Sequence, residues 1–289
     1  MRGKGIIDSG RDSEKRTSDW KPPWGYTLTT YTVDGVPIET VTKKSGNSDR
    51  LVLILHGGAY VIGLVDLYRD LAVRYSKISR NAAVMLVDYR IAPEFTFPAA
   101  LEDAEKAWNW LLARGYKEEN IIIAGDSAGG NLALALVMKL RDEDRDLPKA
   151  MILMSPWADM TASGESYREN LFKDPMFGKK TWVVRKPAES GATRTYAGNH
   201  PLDDPYLSPV YGEFHRFPPM LIQVGTEEIL ESDAKTVYEK AKAAGVDVTL
   251  SRYEGMFHVF QIFGDFIPEV RQAWEEVGDF LRWQFRRGK

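Results

Sequence analysis

Short, continuously apolar runs set between longer stretches of helical periodicity are what most restrict the fold of this chain. "LVLIL" (51–55), "AVMLVD" (83–88), "IIIA" (121–124) and "LIQV" (221–224) lack an alternating polar face. A strand that is apolar at successive positions has both faces covered, which is the condition of a parallel sheet packed between helices. Strands are therefore expected at Leu51–Leu55, Val84–Asp88, Ile121–Ala124, Ala150–Met154, Met220–Val224 and Val248–Tyr253. Two more, Tyr26–Val33 and Val36–Thr42, flank Asp34-Gly35 and read as a hairpin. Helices are expected over about 66–79, 98–113, 128–142, 231–244 and 268–287. The last shows the plainest stripe, with Val270, Trp274, Val277, Leu281 and Phe285 on one face, Pro268 at its start and Gly288 past its end. Strand and helix in alternation predict one doubly wound α/β domain over residues 1–289.

Residues 156–218 break the rhythm: 63 residues with no convincing strand but with Tyr167, Leu171, Phe172, Phe177, Trp182, Tyr196 and Tyr206. So long a connection inside a compact domain predicts a lid or cap rather than plain loop. Trp20 and Trp24, with Phe172, Phe177 and Trp182, are expected to enclose a compact apolar pocket.

Composition removes several function classes. The chain of 289 residues has no cysteine, which excludes disulfides, a thiol nucleophile and thiolate metal sites, and fits a reducing compartment. Its four histidines, His56, His200, His215 and His258, have no metal-ligand spacing, so neither metal nor cofactor is expected. A net charge of −3 gives no global attraction to nucleic acid or an anionic membrane. No apolar stretch reaches the length of a signal or spanning segment, and the expectation is a cytoplasmic protein. The expected partner is a small molecule, with a homodimer the only protein assembly considered.

Gly125-Asp126-Ser127-Ala128-Gly129 is a GxSxG string. The string alone is weak, but "IIIA" precedes it as a buried strand and "NLALALVMKL" follows as a helix. On such a junction the serine projects from a sharp turn, and the residues two before and two after it must lack side chains. A second glycine element, His56-Gly57-Gly58-Ala59-Tyr60, follows the strand Leu51–Leu55. Backbone amides stabilise an oxyanion best where no side chain holds the reacting carbonyl away; Gly57 and Gly58 are the expected donors, joined by Ala128. His56 is expected to order this loop. The base for Ser127 is expected to be His258, in a loop after the last strand, with His200 and His215 at the surface or in packing. The orienting acid should follow Met220–Val224, where Glu227, Glu228, Glu231 and Asp233 compete; Asp233 and Ser232 suit helix capping, Glu231 suits a solvated first turn, and Glu227 or Glu228 lies nearest the strand end.

"HGGAY" (56–60), "DYRIAPEFTFPAALEDA" (88–104), "GDSAGGNLA" (125–133), "SPWADMT" (155–161), "GTEEILESDA" (225–234) and "GMFHVF" (255–260) together resemble the hormone-sensitive-lipase family of α/β-hydrolases, in that family's order and over residues from about 50 to the C-terminus. The resemblance implies an eight-stranded, mostly parallel sheet with a helical cap, here matching residues 1–25 and 156–218. It maps the triad acid onto Glu228, where most members carry Asp and a branch carries Glu. The family's oxyanion motif is HGGG, and this chain departs from it at Ala59. The implied activity is a serine carboxylester hydrolase acting on short-chain acyl esters with Ser127, His258 and Glu228. A deacetylase of acylated carbohydrates or other small metabolites, a peptidase or lyase on the same fold, and a non-catalytic small-ligand receptor are the alternatives; receptors of this kind tend to lose the serine or histidine, and this chain has both.

Overall fold

In a computed structural model, which describes residues 19–45, 48–178 and 191–287, the chain forms one eight-stranded sheet. The strands are β1 (Tyr26–Val33), β2 (Val36–Lys43), β3 (Leu51–Leu55), β4 (Ala83–Val87), β5 (Ile121–Asp126), β6 (Ala150–Met154), β7 (Met220–Gly225) and β8 (Val248–Tyr253). Their order across the sheet is β1-β2-β4-β3-β5-β6-β7-β8. β1 pairs antiparallel with β2, and β2 antiparallel with β4; every other pair is parallel. The β1–β2 turn is Asp34-Gly35, with φ of 46° and 84°. Positive φ at both central residues is what a two-residue hairpin turn needs to match the strand twist.

Seven helices accompany the sheet among the described residues: α1 (Asp66–Ile78), α2 (Ala99–Ala113), α3 (Ala128–Asp142), the short α4 (Ser166–Glu169) and α5 (Gly191–Ala197), α6 (Glu231–Ala243) and α7 (Pro268–Gln284). The all-apolar strands divide their side chains between two cores. Leu51, Leu53 and Leu55 join Ile121, Ile123, Met151 and Leu153 against α2, α3 and α6. Val52 and Ile54 join Ile122, Ala124 and Ile152 against α1 and α7. Each such Val, Leu, Ile or Met side chain contributes about 1.5–3 kcal/mol by leaving water, and a polar substitution on either face removes that contribution. On α7 the expected stripe is the buried one: Val270, Trp274, Val277, Leu281 and Phe285 all lie in the second core.

Among the described residues, the insertion between β6 and β7 contains α4, α5, a 3-10 turn at Pro209–Tyr211 and no strand. Its described residues meet loops that follow β3 and β8. Tyr196 stacks on Tyr60 with ring centroids 3.7 Å apart, and Phe177 meets His258 at 4.7 Å. The pocket expectation survives only in part. Trp24 is fully exposed, Phe172 is mostly exposed, and Trp20 is turned to α1, donating from its indole N–H to Asp70. Trp182 lies outside the described residues. No helix among the described residues is long and apolar enough to cross a membrane.

Candidate active site

Ser127 sits between β5 and α3 with φ 51° and ψ −120°. A non-glycine residue with positive φ stores on the order of 1–3 kcal/mol of strain, so its surroundings must hold it there. They do so from both sides. Its amide donates to the Met154 carbonyl (2.9 Å), and its carbonyl accepts from the Trp157 amide (3.0 Å). A Cβ on Gly125 would overlap the Gly129 backbone, and one on Gly129 would overlap the Leu55 backbone, so the turn closes only with glycine at both places.

Nε2 of His258 lies 3.0 Å from Oγ of Ser127, and Nδ1 lies 2.7 Å from Oε2 of Glu228. The carboxylate next to Nδ1 fixes the tautomer: Nδ1 holds the hydrogen and Nε2 presents its lone pair to the hydroxyl. Such a chain can accept the serine proton and hold the resulting imidazolium. Glu228 is fully buried, and its other oxygen, Oε1, accepts from Oγ of Ser155 (2.8 Å) and from the Gly225 amide (2.7 Å). Oγ of Ser155 also accepts from the Val259 amide (3.0 Å), so one hydroxyl ties the acid to the residue after the histidine. From the insertion, the Asn170 side chain donates to the carbonyls of Thr226 (3.0 Å) and Glu228 (2.9 Å), and Asp174 accepts from the Ile229 amide (3.0 Å). Ser155, Asn170 and Asp174 were not singled out from the sequence; Ser155 stands in "SPWADMT", but nothing local to that string shows that it faces Glu228.

The other carboxylates go elsewhere. Glu227 is partly exposed on the same turn, and Glu231 pairs with Arg252. Asp233 does not cap α6. It is buried and accepts from the amides of Ala158 (2.9 Å) and Asp159 (2.8 Å) and from the Tyr167 hydroxyl (3.0 Å), so it shapes the segment after β6. His200 and His215 are exposed, His200 against Phe97. Arg90 grips Asp103 through Nε (2.8 Å) and its terminal nitrogen (2.9 Å), which makes the "YRIAPE" and "FPAALEDA" stretches a braced connection.

After β3 the chain turns sharply, with φ of 115° at Gly58, 54° at Ala59 and 61° at Tyr60. His56 is fully buried, stacked on Tyr89 at 4.1 Å, with Nδ1–H donating to the Gly57 carbonyl (2.7 Å). Burial pulls its pKa down to about 4, so it is a neutral brace of the loop. The expectation for the Gly57 amide is corrected. That amide donates to the Tyr68 hydroxyl (2.7 Å) and to Oδ1 of Asp126 (3.1 Å), and so is not free to meet an oxyanion. Gly57 is glycine for another reason: a Cβ there would overlap the Asp126 carboxylate. Among the described residues no group accepts from the Gly58, Ala59 or Ala128 amides. Nor does any group of three or more His, Asp or Glu side chains among them form a metal site.

A mostly parallel sheet with a strained serine after β5, a histidine after β8 and a buried carboxylate after β7 defines the α/β-hydrolase class. A family model described as the alpha/beta hydrolase fold matches residues 52–262. An acetyl-hydrolase of Streptomyces hygroscopicus is 40% identical over 81% of this chain and 75% of its own length. An esterase of Acinetobacter venetianus is 34% identical over 82% and 76%. A crystal structure of an esterase from the bacterial hormone-sensitive lipase family superposes with a TM-score of 0.84 at 38% identity, covering 92% of this chain and 87% of that one. The chain belongs to the hormone-sensitive-lipase family of α/β-hydrolases, and it is an ester hydrolase.

Proposed function

We propose that Ser127, His258 and Glu228 are the catalytic triad of a carboxylesterase that cleaves short-chain acyl esters of small molecules. One observation carries this reading: the unbroken hydrogen-bonded chain from Oγ of Ser127 through both imidazole nitrogens to the buried Glu228 carboxylate. Oγ of Ser127 attacks the ester carbonyl while Nε2 of His258 takes its proton. The C–O bond to the alcohol then breaks, and the imidazolium returns the proton to the leaving oxygen. Water, deprotonated in turn by His258, attacks the acyl-enzyme and releases the acid and Ser127. Glu228 holds the imidazole in place and balances its charge in both halves.

The oxyanion donors in this reading are the amides of Gly58, Ala59 and Ala128. None of the three has an internal acceptor among the described residues, and they flank the serine from the β3 loop and from the first turn of α3, where the helix dipole adds positive potential. In this reading residues 156–218 form a cap together with residues 1–25, of which 1–18 and 179–190 lie outside the described residues. In support, Phe177 lies against His258, while Asn170 and Asp174 hold the acid loop. Phe177 against the imidazole leaves less room beside the serine, which favours small acyl groups; the name acetyl-hydrolase on one relative points the same way.

Turnover of p-nitrophenyl acetate by purified variants tests the assignment. Ser127→Ala and His258→Ala should each lose several orders of magnitude in kcat with little change in thermal midpoint, and the double variant should lose scarcely more. Glu228→Gln should lose up to about 10⁴-fold, and Glu227→Gln only a small factor. Substantial turnover by Ser127→Ala, or the reverse ranking of the two Glu variants, would overturn it.

A further inference from the structure

A buried carboxylate stands next to the serine with no part in the proton chain. Asp126 ends β5, and β5 pairs in parallel with β3, setting Leu55 opposite Gly125. The Asp126 side chain therefore reaches sideways to the loop that follows β3. There three groups close a ring: the Gly57 amide donates to the Tyr68 hydroxyl (2.7 Å) and to Oδ1 of Asp126 (3.1 Å), and the Tyr68 hydroxyl donates to Oδ2 of Asp126 (3.0 Å). All three residues are buried. Burial pushes the Asp126 carboxyl up to about 6 even though these bonds pull the other way, so the site holds an expensive group.

We propose that Asp126 and Tyr68 are positioning residues that lock the oxyanion loop to the nucleophile turn through the Gly57 amide. The inference rests on the reading of Ser127 as nucleophile. Gly57 immediately precedes the two amides assigned to the oxyanion, and Asp126 immediately precedes Ser127, so the ring fixes the spacing between donors and attacking oxygen. Amide donors must meet the oxyanion at about 2.7–3.1 Å, so a small shift of the loop weakens them. The ring also explains the residue types. Two acceptor oxygens are needed, one for the amide and one for the hydroxyl. Asn offers one acceptor and a donor, which faces the Tyr68 hydrogen and leaves it without a partner. Gly57 admits the carboxylate because it has no Cβ. Nothing bonds Asp126 to Ser127 Oγ or to His258 among the described residues, although a positive charge on His258 is one of the influences that lower the Asp126 pKa.

The test compares Asp126→Asn and Tyr68→Phe with wild type on p-nitrophenyl acetate, and measures inhibition by a trifluoromethyl ketone, which forms an oxyanion on the serine. Both variants should lose kcat, about 10- to 100-fold for Asp126→Asn and about 10-fold for Tyr68→Phe, below the loss for deleting a donor outright. KM should stay within about twofold, and the ketone Ki should rise in proportion to the loss of kcat/KM. A merely structural role would lower the thermal midpoint without that proportion. Loss in Asp126→Asn with full activity in Tyr68→Phe would show that the carboxylate acts through charge on His258, and would overturn the proposal. So would kcat unchanged in both, or a ketone Ki unchanged while kcat falls. If Asp126→Asn does not fold, the same measurements on Tyr68→Phe decide, since that variant removes a single oxygen. Wild type that turns over esters but resists the ketone would instead overturn the serine reading, which separates the two failures.

Discussion

Buried ionisable residues around the site carry opposite costs. The unfolded chain binds a proton on the His56 imidazole below its ordinary pKa of 6.5, whereas the folded protein does so only near 4. Protons therefore favour the unfolded state between those values, and the stability tied to His56 is lost as pH falls through them. Asp126 runs the other way: its folded carboxyl titrates near 6 against an ordinary 3.8, so its burial cost is relieved over an overlapping window as pH falls. His56→Asn, which keeps an N–H donor for the Gly57 carbonyl, is expected to lose less thermal midpoint than wild type between pH 6.5 and 4. Parallel midpoint curves for the two proteins would contradict it. At this scale the sequence singled out Ser127, Glu228 and His258, which one hydrogen-bonded chain links and whose catalytic role is the proposal, and it anticipated that His56 orders its loop. It was a poor guide to Gly57, because a glycine that admits a neighbouring carboxylate and one that presents an amide look alike as letters. Only the reach of Asp126 across two paired strands separates them.

Among the elements, the end of β6 does more than its short strand suggests. Ser155 follows it with φ 47° and turns its hydroxyl between Glu228 and Val259. Ser155→Ala leaves a buried amide at Val259 without its acceptor and removes a donor from Glu228. A stability loss of about 1–3 kcal/mol is expected by chemical denaturation. A fall of about tenfold in kcat is expected with it, equal to about 1.4 kcal/mol of lost triad order. Wild-type values for both would show that the hydroxyl is incidental. All eight strands were legible to within a residue or two: β3 to β7 because a run buried on both faces admits few other readings, and β1 and β2 because Asp34-Gly35 marks the turn between them. The insertion was legible only as a break in rhythm. Described parts of it are held by single side chains, Asn170 and Asp174 reaching onto the loop after β7 and Tyr167 onto α6, and such contacts leave no period in the sequence. The same reason hid Asp233: its place at the start of α6 suggested a cap, but its partners are 66, 74 and 75 residues away.

Over the whole molecule, the sheet is the frame that makes the chemistry local. Ser127 and His258 are 131 positions apart in the chain and 3.0 Å apart in space, because parallel strands deliver their C-terminal ends to one edge. Two cores clamp the sheet, so the site residues are set by packing rather than by loop choice. In the proposed cap, Phe177 stands against the imidazole, and on that reading it limits the length of acyl chain the site takes. Each buried methylene adds about 0.8 kcal/mol until the space is filled. Across p-nitrophenyl acetate, butyrate, hexanoate, octanoate and palmitate, kcat/KM is expected to peak at hexanoate or shorter. A peak at octanoate or beyond, or activation at a lipid–water interface, would contradict a closed acyl site. The central claim, that Ser127 carries the acyl group, is tested most directly by acid-quenching the enzyme during turnover of p-nitrophenyl acetate and mapping the protein by mass spectrometry. The expected result is a single acetyl group on the peptide that contains Ser127, absent from Ser127→Ala, which does not turn over. An acetyl group on another residue, or steady turnover by Ser127→Ala, would contradict it.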